Sequence, residues 1–368
     1  MHLTIERELL LKHLEHAARI STRHQTLPVL QCVLLDASGA DDALTLRATN
    51  LELGLEARVS ARVKARGTLA APATVLAQTI ALVREREVVL KTDGELLVVE
   101  SGKSRTAIKT LGHEEFPLIQ RLEGTAQRLG AALFALGVKT AAFASSQSSV
   151  KPELGSVFIH QKQAQSLTFV ATDSFRLVEK TVPTEGVALA HPLLVPQKNA
   201  LELARLCEAL GEDPEMLVSE NQFALRFPSG VYITTRLTEA SFPDYQQIIP
   251  KEFATEATAL RGDLAHALRK TNIFAGAFLQ VRMDIKPKAQ SITLTAEGGE
   301  VGTTEEVIPA TIEGDELTLS FNQRYLNDPL ASFVDDGVVM CFAGAGRPMV
   351  MEGVSEKSRR YLVMPRNR

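Results

Sequence analysis

Apolar and polar positions repeat in the same order three times along the chain. The clearest element is a strand at residues 167–172, which is rich in Thr, Phe and Val and leads into a turn at Asp173-Ser174. Related strands begin at Leu44, 123 positions earlier, and at Ile292, 125 positions later. Solenoid repeats are only about 20–50 residues long. The much longer period therefore predicts three domains of one fold.

Each repeat is predicted to contain a strand, a helix, three strands, a second helix and three more strands. In the first repeat, Leu10 and Leu14 have helical spacing, and Asp93-Gly94 is typical of a hairpin turn. Asp263 is the expected N-cap of the first helix in the third repeat. Hairpin-linked strands combined with helices indicate an α+β fold with largely antiparallel sheets. The second helices are expected at residues 74–84, 199–210 and 324–333, and one extra strand at 317–321.

Length and composition agree with three domains, which we expect at residues 1–122, 123–248 and 249–368. The chain has 368 residues, of which 45% are hydrophobic and 23% charged, as in ordinary globular domains. No apolar run approaches the roughly 18–20 residues of a membrane span. The charged N-terminal stretch shows no secretory signal. We therefore expect a cytoplasmic protein, in which Cys32, Cys207 and Cys341 are small buried residues.

Signals for catalysis and for cofactors are absent from the sequence. Gly102-Lys103-Ser104 lacks the earlier glycine of a phosphate loop and lies in a predicted hairpin. His13 and His16 could share a metal, but two histidines on an exposed helix face are the simpler interpretation. No catalytic residue, metal site or cofactor is predicted, and the sequence favours a binding scaffold.

Four short motifs occur in a fixed order and carry a family resemblance. Together with the threefold repeat, they make the chain similar to the bacterial sliding clamp family, the β subunits of DNA polymerase III. The motifs are Thr26-Leu27-Pro28-Val29-Leu30, Ala171-Thr172-Asp173 with Arg176-Leu177, Phe242-Pro243-Asp244-Tyr245, and Tyr361-Leu362-Val363-Met364-Pro365.

This resemblance implies a DNA polymerase processivity factor without enzymatic activity. Each chain would contribute three clamp domains, with two helices packed on antiparallel sheets in each. Two chains would close head to tail into a homodimeric ring of six domains, with the helices around duplex DNA. The implied partners are the replicative polymerase catalytic subunit, the clamp loader, and repair and replication proteins with clamp-binding peptides.

The resemblance also implies a peptide-binding pocket between the second and third domains. Without the family, we would assign Leu177 and Leu362 to a core. Ser174 stands where the family usually has Gly, Gln246-Gln247 replace residues that are often basic, and the tail ends in Arg366-Asn367-Arg368. The implied pocket residues are Leu154, Thr172, Ser174, Phe175, Arg176, Leu177, Pro243, Ile248, Phe278, Asn322, Tyr325, Leu362, Met364 and Pro365.

Ring closure is expected to join the first domain of one chain to the third domain of the other. The family implies Thr106 and Ile108 on one side of this dimer interface, and Ile273 and Phe274 on the other. Thr106 is smaller and more polar than expected at such a contact.

Basic residues on the predicted helices provide the diffuse attraction for phosphate that a sliding ring needs. The net charge is −4, from 40 basic and 44 acidic residues, so this attraction has to be local. We hypothesise that Lys139, Arg205 and Arg269 face DNA; the alternative for each is a solvated helix face. The complete DNA-facing set is Lys12, Arg19, Arg23, Arg84, Lys139, Lys198, Arg205, Arg269, Lys270 and Arg324.

Two other functions remain open at this point. One is a paralogous ring or peptide-binding adaptor that keeps the fold without the replicative role, for which Ser174 and the altered tail are the reasons. The other is a cytoplasmic enzyme with an unrecognised site, which the missing motifs make the weakest of the three.

Overall fold

The computed structural model describes residues 1–21, 25–148, 150–299 and 301–366. These residues form an α+β structure with six α-helices and largely antiparallel sheets, as predicted. Within this part of the chain, no helix is both long enough and apolar enough to span a membrane.

The first repeat contains nine strands and two helices. They are β1 (His2–Glu6), α1 (Arg7–Ile20), β2 (Cys32–Asp36), β3 (Ala43–Thr49), β4 (Leu53–Ser60), β5 (Arg62–Ala65), β6 (Thr68–Pro72), α2 (Ala73–Ala81), β7 (Glu87–Asp93), β8 (Leu96–Ser101) and β9 (Ser104–Lys109).

The second repeat has the same order but no counterpart of the short strand β5. Its elements are β10 (Gln127–Arg128), α3 (Ala131–Ala142), β11 (Ser156–His160), β12 (Ser166–Thr172), β13 (Arg176–Pro183), β14 (Leu193–Pro196), α4 (Gln197–Leu210), β15 (Glu215–Val218), β16 (Gln222–Arg226) and β17 (Val231–Arg236).

The third repeat has a shorter second helix, which passes into a 3₁₀ turn at Asp328–Ser332. Its elements are β18 (Thr255–Leu260), α5 (Arg261–Phe274), β19 (Gln280–Lys286), β20 (Ser291–Gly298), β21 (Gly302–Gly314), β22 (Leu317–Asn322), α6 (Gln323–Asn327), β23 (Gly337–Phe342), β24 (Met349–Gly353) and β25 (Arg359–Val363).

The predicted order was wrong in several details. The first repeat contains the short strand β5, which was not expected. A strand precedes the second helix in every repeat (β6, β14 and β22), whereas only the third was expected. These strands are short, and pairing with a partner strand defines them rather than their own residue pattern. Asp263 is also not an N-cap, because α5 begins at Arg261. Its carboxylate instead lies in the first turn, where it interacts favourably with the helix dipole.

The chain divides into two compact units. The first unit holds Met1–Ala135 and Glu202–Leu237. It contains a five-stranded sheet, β5-β1-β7-β8-β9, and an eight-stranded sheet, β10-β15-β16-β17-β4-β3-β2-β6. Antiparallel pairing of β4 with β17 joins the first repeat to the second inside this one sheet.

The second unit holds Leu136–Leu201 and Thr238–Arg368. One twelve-stranded sheet runs through it in the order β14-β11-β12-β13-β25-β24-β23-β18-β21-β20-β19-β22. Here β13 pairs with β25, from Arg176 opposite Val363 to Lys180 opposite Arg359. The sheet therefore continues from the second repeat into the third without an edge between them.

The Phe-Pro segments that end the first two repeats lie on these sheets. In the first unit, Phe116 packs with Leu34 and Ala70. In the second unit, the Phe242 ring stacks on Phe158, with centroids 4.6 Å apart and planes 4° apart. Burying these aromatic rings fixes the segments that lead from one repeat to the next.

The two histidines of α1 are not an exposed pair. His13 is 5% exposed and His16 is half-buried. Burial lowers the pKa of each to about 4, so both rings are neutral at pH 7. Among the described residues, no group of three or more His, Cys, Asp or Glu side chains is placed to hold a metal ion. The three cysteines are buried and free, as predicted.

Gly137 lies where α3 meets the ring of Phe169 on β12. A Cβ atom at this position would overlap that buried ring. A Cβ atom at Gly262, in the first turn of α5, would meet no other atom within 4 Å. A side chain at Gly137 would therefore clash with a buried ring, whereas a side chain at Gly262 would not.

We predict opposite effects of alanine at these two positions. Gly137→Ala should lower the free energy of unfolding by about 1–3 kcal/mol, because the buried ring has to shift. Gly262→Ala should raise it by about 0.5–1 kcal/mol through helix propensity. Chemical denaturation of both variants tests this, and equal effects would contradict the packing described for Gly137.

Candidate functional site

The turn between β12 and β13 is held by its own side chains. Asp173 Oδ1 accepts hydrogen bonds from the backbone N–H groups of Phe175 and Arg176, both at 3.0 Å. The Thr172 hydroxyl donates to the Arg176 carbonyl at 2.7 Å. Ser174 adopts a left-handed conformation with φ of 80°. Asp is favoured in such turns because its side chain can bond the backbone two residues on.

The first repeat contains the same turn. Asn50 Oδ1 accepts from the N–H groups of Glu52 and Leu53, at 3.0 and 2.7 Å, and Thr49 donates to the Leu53 carbonyl. Leu51 has a φ of 76°, like that of Ser174. The two turns differ in the residue that follows, which is Leu53 in the first repeat and Arg176 in the second.

Arg176 joins this turn to the third repeat. Its Nε donates to Asp173 Oδ2 at 2.9 Å and its Nη1 to Asp328 Oδ2 at 2.6 Å. Its Nη2 donates to the Phe143 carbonyl at 2.9 Å. The guanidinium also lies 4.5 Å from the ring centroid of Tyr325. All three nitrogens are therefore used within the protein.

The charges around Arg176 compensate for its burial. Burial would lower its pKa, but the hydrogen bond to Asp328 and the negative charges around it raise the pKa above the ordinary arginine value. Burial and the Asp173 charge raise the pKa of Tyr325, which therefore keeps its hydroxyl proton. Arg176 and the rings of Phe143 and Tyr325 form one wall of the site. Its positive charge is paired with the carboxylates of Asp173 and Asp328, and its aromatic rings are neutral.

A cavity of about 630 Å³, which we call cavity A, lies beside this wall. Phe175 is 60% exposed on one side, and its carbonyl accepts the Met364 N–H at 2.8 Å. Tyr325 lies on α6, which the Asn322 side chain caps by accepting the Arg324 N–H at 3.0 Å. The lining residues are Ser174, Phe175, Gln280, Asn322, Tyr325, Gly346, Met364, Pro365 and Arg366. The cavity can hold an extended apolar segment.

Six of the residues implied by the resemblance meet at cavity A: Ser174, Phe175, Asn322, Tyr325, Met364 and Pro365. Gln280 and Gly346 also line the cavity, and neither the residue pattern nor the resemblance indicated them. The sequence did not indicate Asp328 or Phe143 either, which contact Arg176 from distant parts of the chain.

The other implied pocket residues lie elsewhere in the second unit. Leu177 and Leu362 are 0 and 1% exposed in a core with Val170 and Tyr245. Both side chains therefore belong to a core, and their part in a peptide-binding pocket stays a prediction. Arg176 lies behind cavity A. Leu154 and Thr172 are buried, at 6 and 5% exposed, whereas Pro243 is exposed. Ile248 lines a separate cavity of about 300 Å³, and Phe278 lines a third cavity.

All three repeats have counterparts in known proteins. Residues 1–120 match the N-terminal domain of the DNA polymerase III beta subunit, residues 129–244 its central domain, and residues 246–367 its C-terminal domain. The chain belongs to the DNA polymerase III beta subunit family.

Similar proteins match over almost their whole length. The beta sliding clamp of Pseudomonas putida is 30% identical over 374 residues, and that of Escherichia coli K12 is 28% identical over 370 residues, each alignment covering 99% of both chains. The solved DNA polymerase III subunit beta of Pseudomonas aeruginosa superimposes over the full length of both chains, with a TM-score of 0.92 at 25% identity. Another structure of that clamp, bound to griselimycin, gives 0.92 at 26%.

The basic residues of the predicted DNA-facing set mostly have exposed side chains. Lys12 and Arg19 on α1, Lys139 on α3, Lys198 on α4, Arg269 and Lys270 on α5, and Arg324 on α6 are exposed. Arg84 is exposed but follows the end of α2, so its assignment to a helix was wrong. Arg23 lies outside the described residues.

Lys270 and Arg205 have acidic partners. Lys270 contacts both carboxylate oxygens of Glu306 at 3.0 Å, and Arg205 is paired with Glu202 on its own helix. Burial and the charge of Arg19, which belongs to the same unit, lower the pKa of Arg205. The DNA-facing role of the set stays a prediction.

The four residues of the predicted dimer interface differ in exposure. Ile273 is 67% exposed near the end of α5, and Phe274 is half-buried. Thr106 is half-buried on β9, the last strand of its sheet, whereas Ile108 is only 5% exposed and packs inside the first unit. Ile108 can therefore contribute little new buried surface to an interface.

We predict that Ser174→Gly stabilises the protein, because Ser174 has a left-handed backbone conformation. A non-glycine residue in the left-handed region costs about 1 kcal/mol, which glycine avoids, although its flexibility in the unfolded chain offsets part of this gain. The unfolding free energy should therefore rise by about 0.5 kcal/mol. The control is Ser174→Ala, which keeps the backbone cost and should give no gain. Stabilisation by both variants would show that the serine side chain, not the backbone, is the source.

Proposed function

We propose that this protein is a DNA polymerase processivity clamp. Two chains form a ring around duplex DNA, slide along it and tether the replicative polymerase through cavity A. The observation that carries this proposal is the match to sliding clamps through all three repeats and 99% of the chain. We further propose that the protein has no catalytic activity, acts in the cytoplasm, and has domain boundaries at residues 1–122, 123–248 and 249–368.

Two sheet edges suit the head-to-tail contact of such a ring. Strand β9 is the outermost strand of its sheet among the described residues. Strand β21 pairs with β18 only through residues 310–314, so the same side of residues 303–309 has no strand partner among the described residues. Ile273 and Val307 are 67 and 61% exposed in the same repeat as β21. Free strand edges with apolar side chains readily pair with another chain.

The proposed contact with DNA is electrostatic and independent of sequence. A ring holds DNA by enclosing it, so its basic residues need only follow the phosphates. Lys139, Arg205 and Arg269 on three helices are the residues we propose for this role. The further proposed partners are the clamp loader and repair and replication proteins that carry clamp-binding peptides.

Retention on DNA of two topologies tests this proposal. After loading by the clamp loader, the protein should stay on nicked circular DNA in high salt and slide off once the circle is linearised. Ile273→Glu should abolish retention on the circle, because a buried charge opens the ring. Val150→Glu is the control, since Val150 is apolar and 84% exposed in the second repeat, whereas the two strand edges belong to the first and third repeats. Equal loss from circular and linear DNA by the unmodified protein would contradict enclosure.

A further inference from the structure

All three repeats end with one and the same backbone contact. The N–H groups of Leu111, Thr238 and Arg366 donate to the carbonyls of Ala70, Leu194 and Ser320, at 2.9, 2.8 and 2.7 Å. These carbonyls belong to β6, β14 and β22, and each of these strands ends its sheet. The chain therefore leaves each repeat along an equivalent sheet edge.

In the first two repeats, the chain then packs on one face of the sheet. Leu34 is opposite Ala70 and packs with Phe116. Phe158 is opposite Leu194 and stacks on Phe242. An apolar residue at one fixed position of the sheet thus receives the aromatic ring of the linker in both repeats.

The third repeat has an arginine at this position. Arg282 is opposite Ser320 on β22, as Leu34 and Phe158 are opposite their partners. The face around it forms a cavity of about 920 Å³, which we call cavity B. Within the described residues, no segment crosses this face as the linkers do in the other repeats. Cavity B adjoins cavity A, with which it shares Gln280, Gly346, Pro365 and Arg366.

We propose that cavity B binds an extended acidic segment of a partner protein, adjacent in that partner's sequence to the segment held in cavity A. The segment would follow the path that the linkers take in the first two repeats, with a carboxylate where they have phenylalanine. This proposal rests on the proposed function, because it assumes that cavity A receives a peptide from the polymerase.

Charge at the key position supports an acidic occupant. The Arg282 side chain is 57% exposed and uses its Nε and one Nη on Asp284 Oδ1, each at 3.0 Å. Arg366 is the second arginine on the lining, and its Nη1 donates to the Phe278 carbonyl at 2.6 Å. A guanidinium has five N–H donors, and these contacts use a minority of them. Glu297 also lines the cavity, on the neighbouring strand β20, and it would repel an acidic residue. The carboxylate of the bound segment is therefore expected beside Arg282 and not beside Glu297.

The edge of β22 can supply backbone hydrogen bonds to the same segment. The Ser320 carbonyl points away from the sheet, because it accepts the N–H of Arg366. Backbone groups of alternate residues point to the same side of a strand, so those of Thr318 also face outward. An extended segment can therefore pair with β22 at Thr318, next to the contact of Arg366 with Ser320, and pairing with a strand edge is a common mode of peptide recognition.

Binding of the purified catalytic subunit of DNA polymerase III tests this proposal. Arg282→Glu should weaken binding about tenfold, because it replaces attraction of a carboxylate by repulsion. Thr318→Pro should weaken it about threefold to tenfold through the loss of one outward N–H, a change that an edge strand tolerates. Lys288→Glu is the control, with the same change of charge on an exposed residue of the same repeat, and should bind normally.

Two further measurements separate this proposal from the function on which it rests. In the complex, the amides of Thr318 and Ser320 should exchange hydrogen for deuterium more slowly than in the free protein. Met364→Ala, which alters cavity A, should weaken binding by itself. If Met364→Ala weakens binding while Arg282→Glu and Thr318→Pro do not, cavity B has no role and the proposal is wrong. If Met364→Ala has no effect either, the proposed use of cavity A fails as well.

Discussion

The ion pairs of Arg176 with Asp173 and Asp328 are the interaction on which the candidate site depends. Asp173 fixes the turn that exposes Phe175, and Asp328 belongs to the segment that follows Tyr325. One guanidinium therefore sets the positions of two walls of cavity A. Removing one partner of a buried ion pair leaves the other charge uncompensated, which is costly. We therefore expect that the turn with Phe175 and the segment with Tyr325 move together if either of them moves.

The sheet makes this arrangement possible. Pairing of β13 with β25 brings Arg176 opposite Val363 and so places Met364 beside Phe175. The first repeat has the same turn and the equivalent pairing of β4 with β17. At that point it has Leu53, which is buried, in place of an arginine. The repeated fold thus supplies the geometry at both junctions, and the arginine at this position is present only at the junction that carries cavity A.

The sequence indicated the repeat, the α+β class and the turn at Asp173-Ser174, because each depends on local pattern. It indicated the importance of Met364 and Tyr325 only through a family resemblance. Asp328 was not found, because it meets Arg176 across 152 positions of sequence and no local pattern encodes that contact. Strands β6 and β14 were missed for a similar reason, since they are defined by distant partners. Leu177 and Leu362 illustrate the reverse problem, because a motif can mark core residues as well as a binding surface.

A double-mutant cycle between Arg176→Gln and Asp328→Asn, read as affinity for the purified polymerase catalytic subunit, tests the central role of this ion pair. If Arg176 acts by positioning the walls, each single change should weaken binding about tenfold, and the double change should weaken it no further. Additive losses, or a loss with Arg176→Gln alone, would show that Arg176 contacts the ligand directly and would contradict this account.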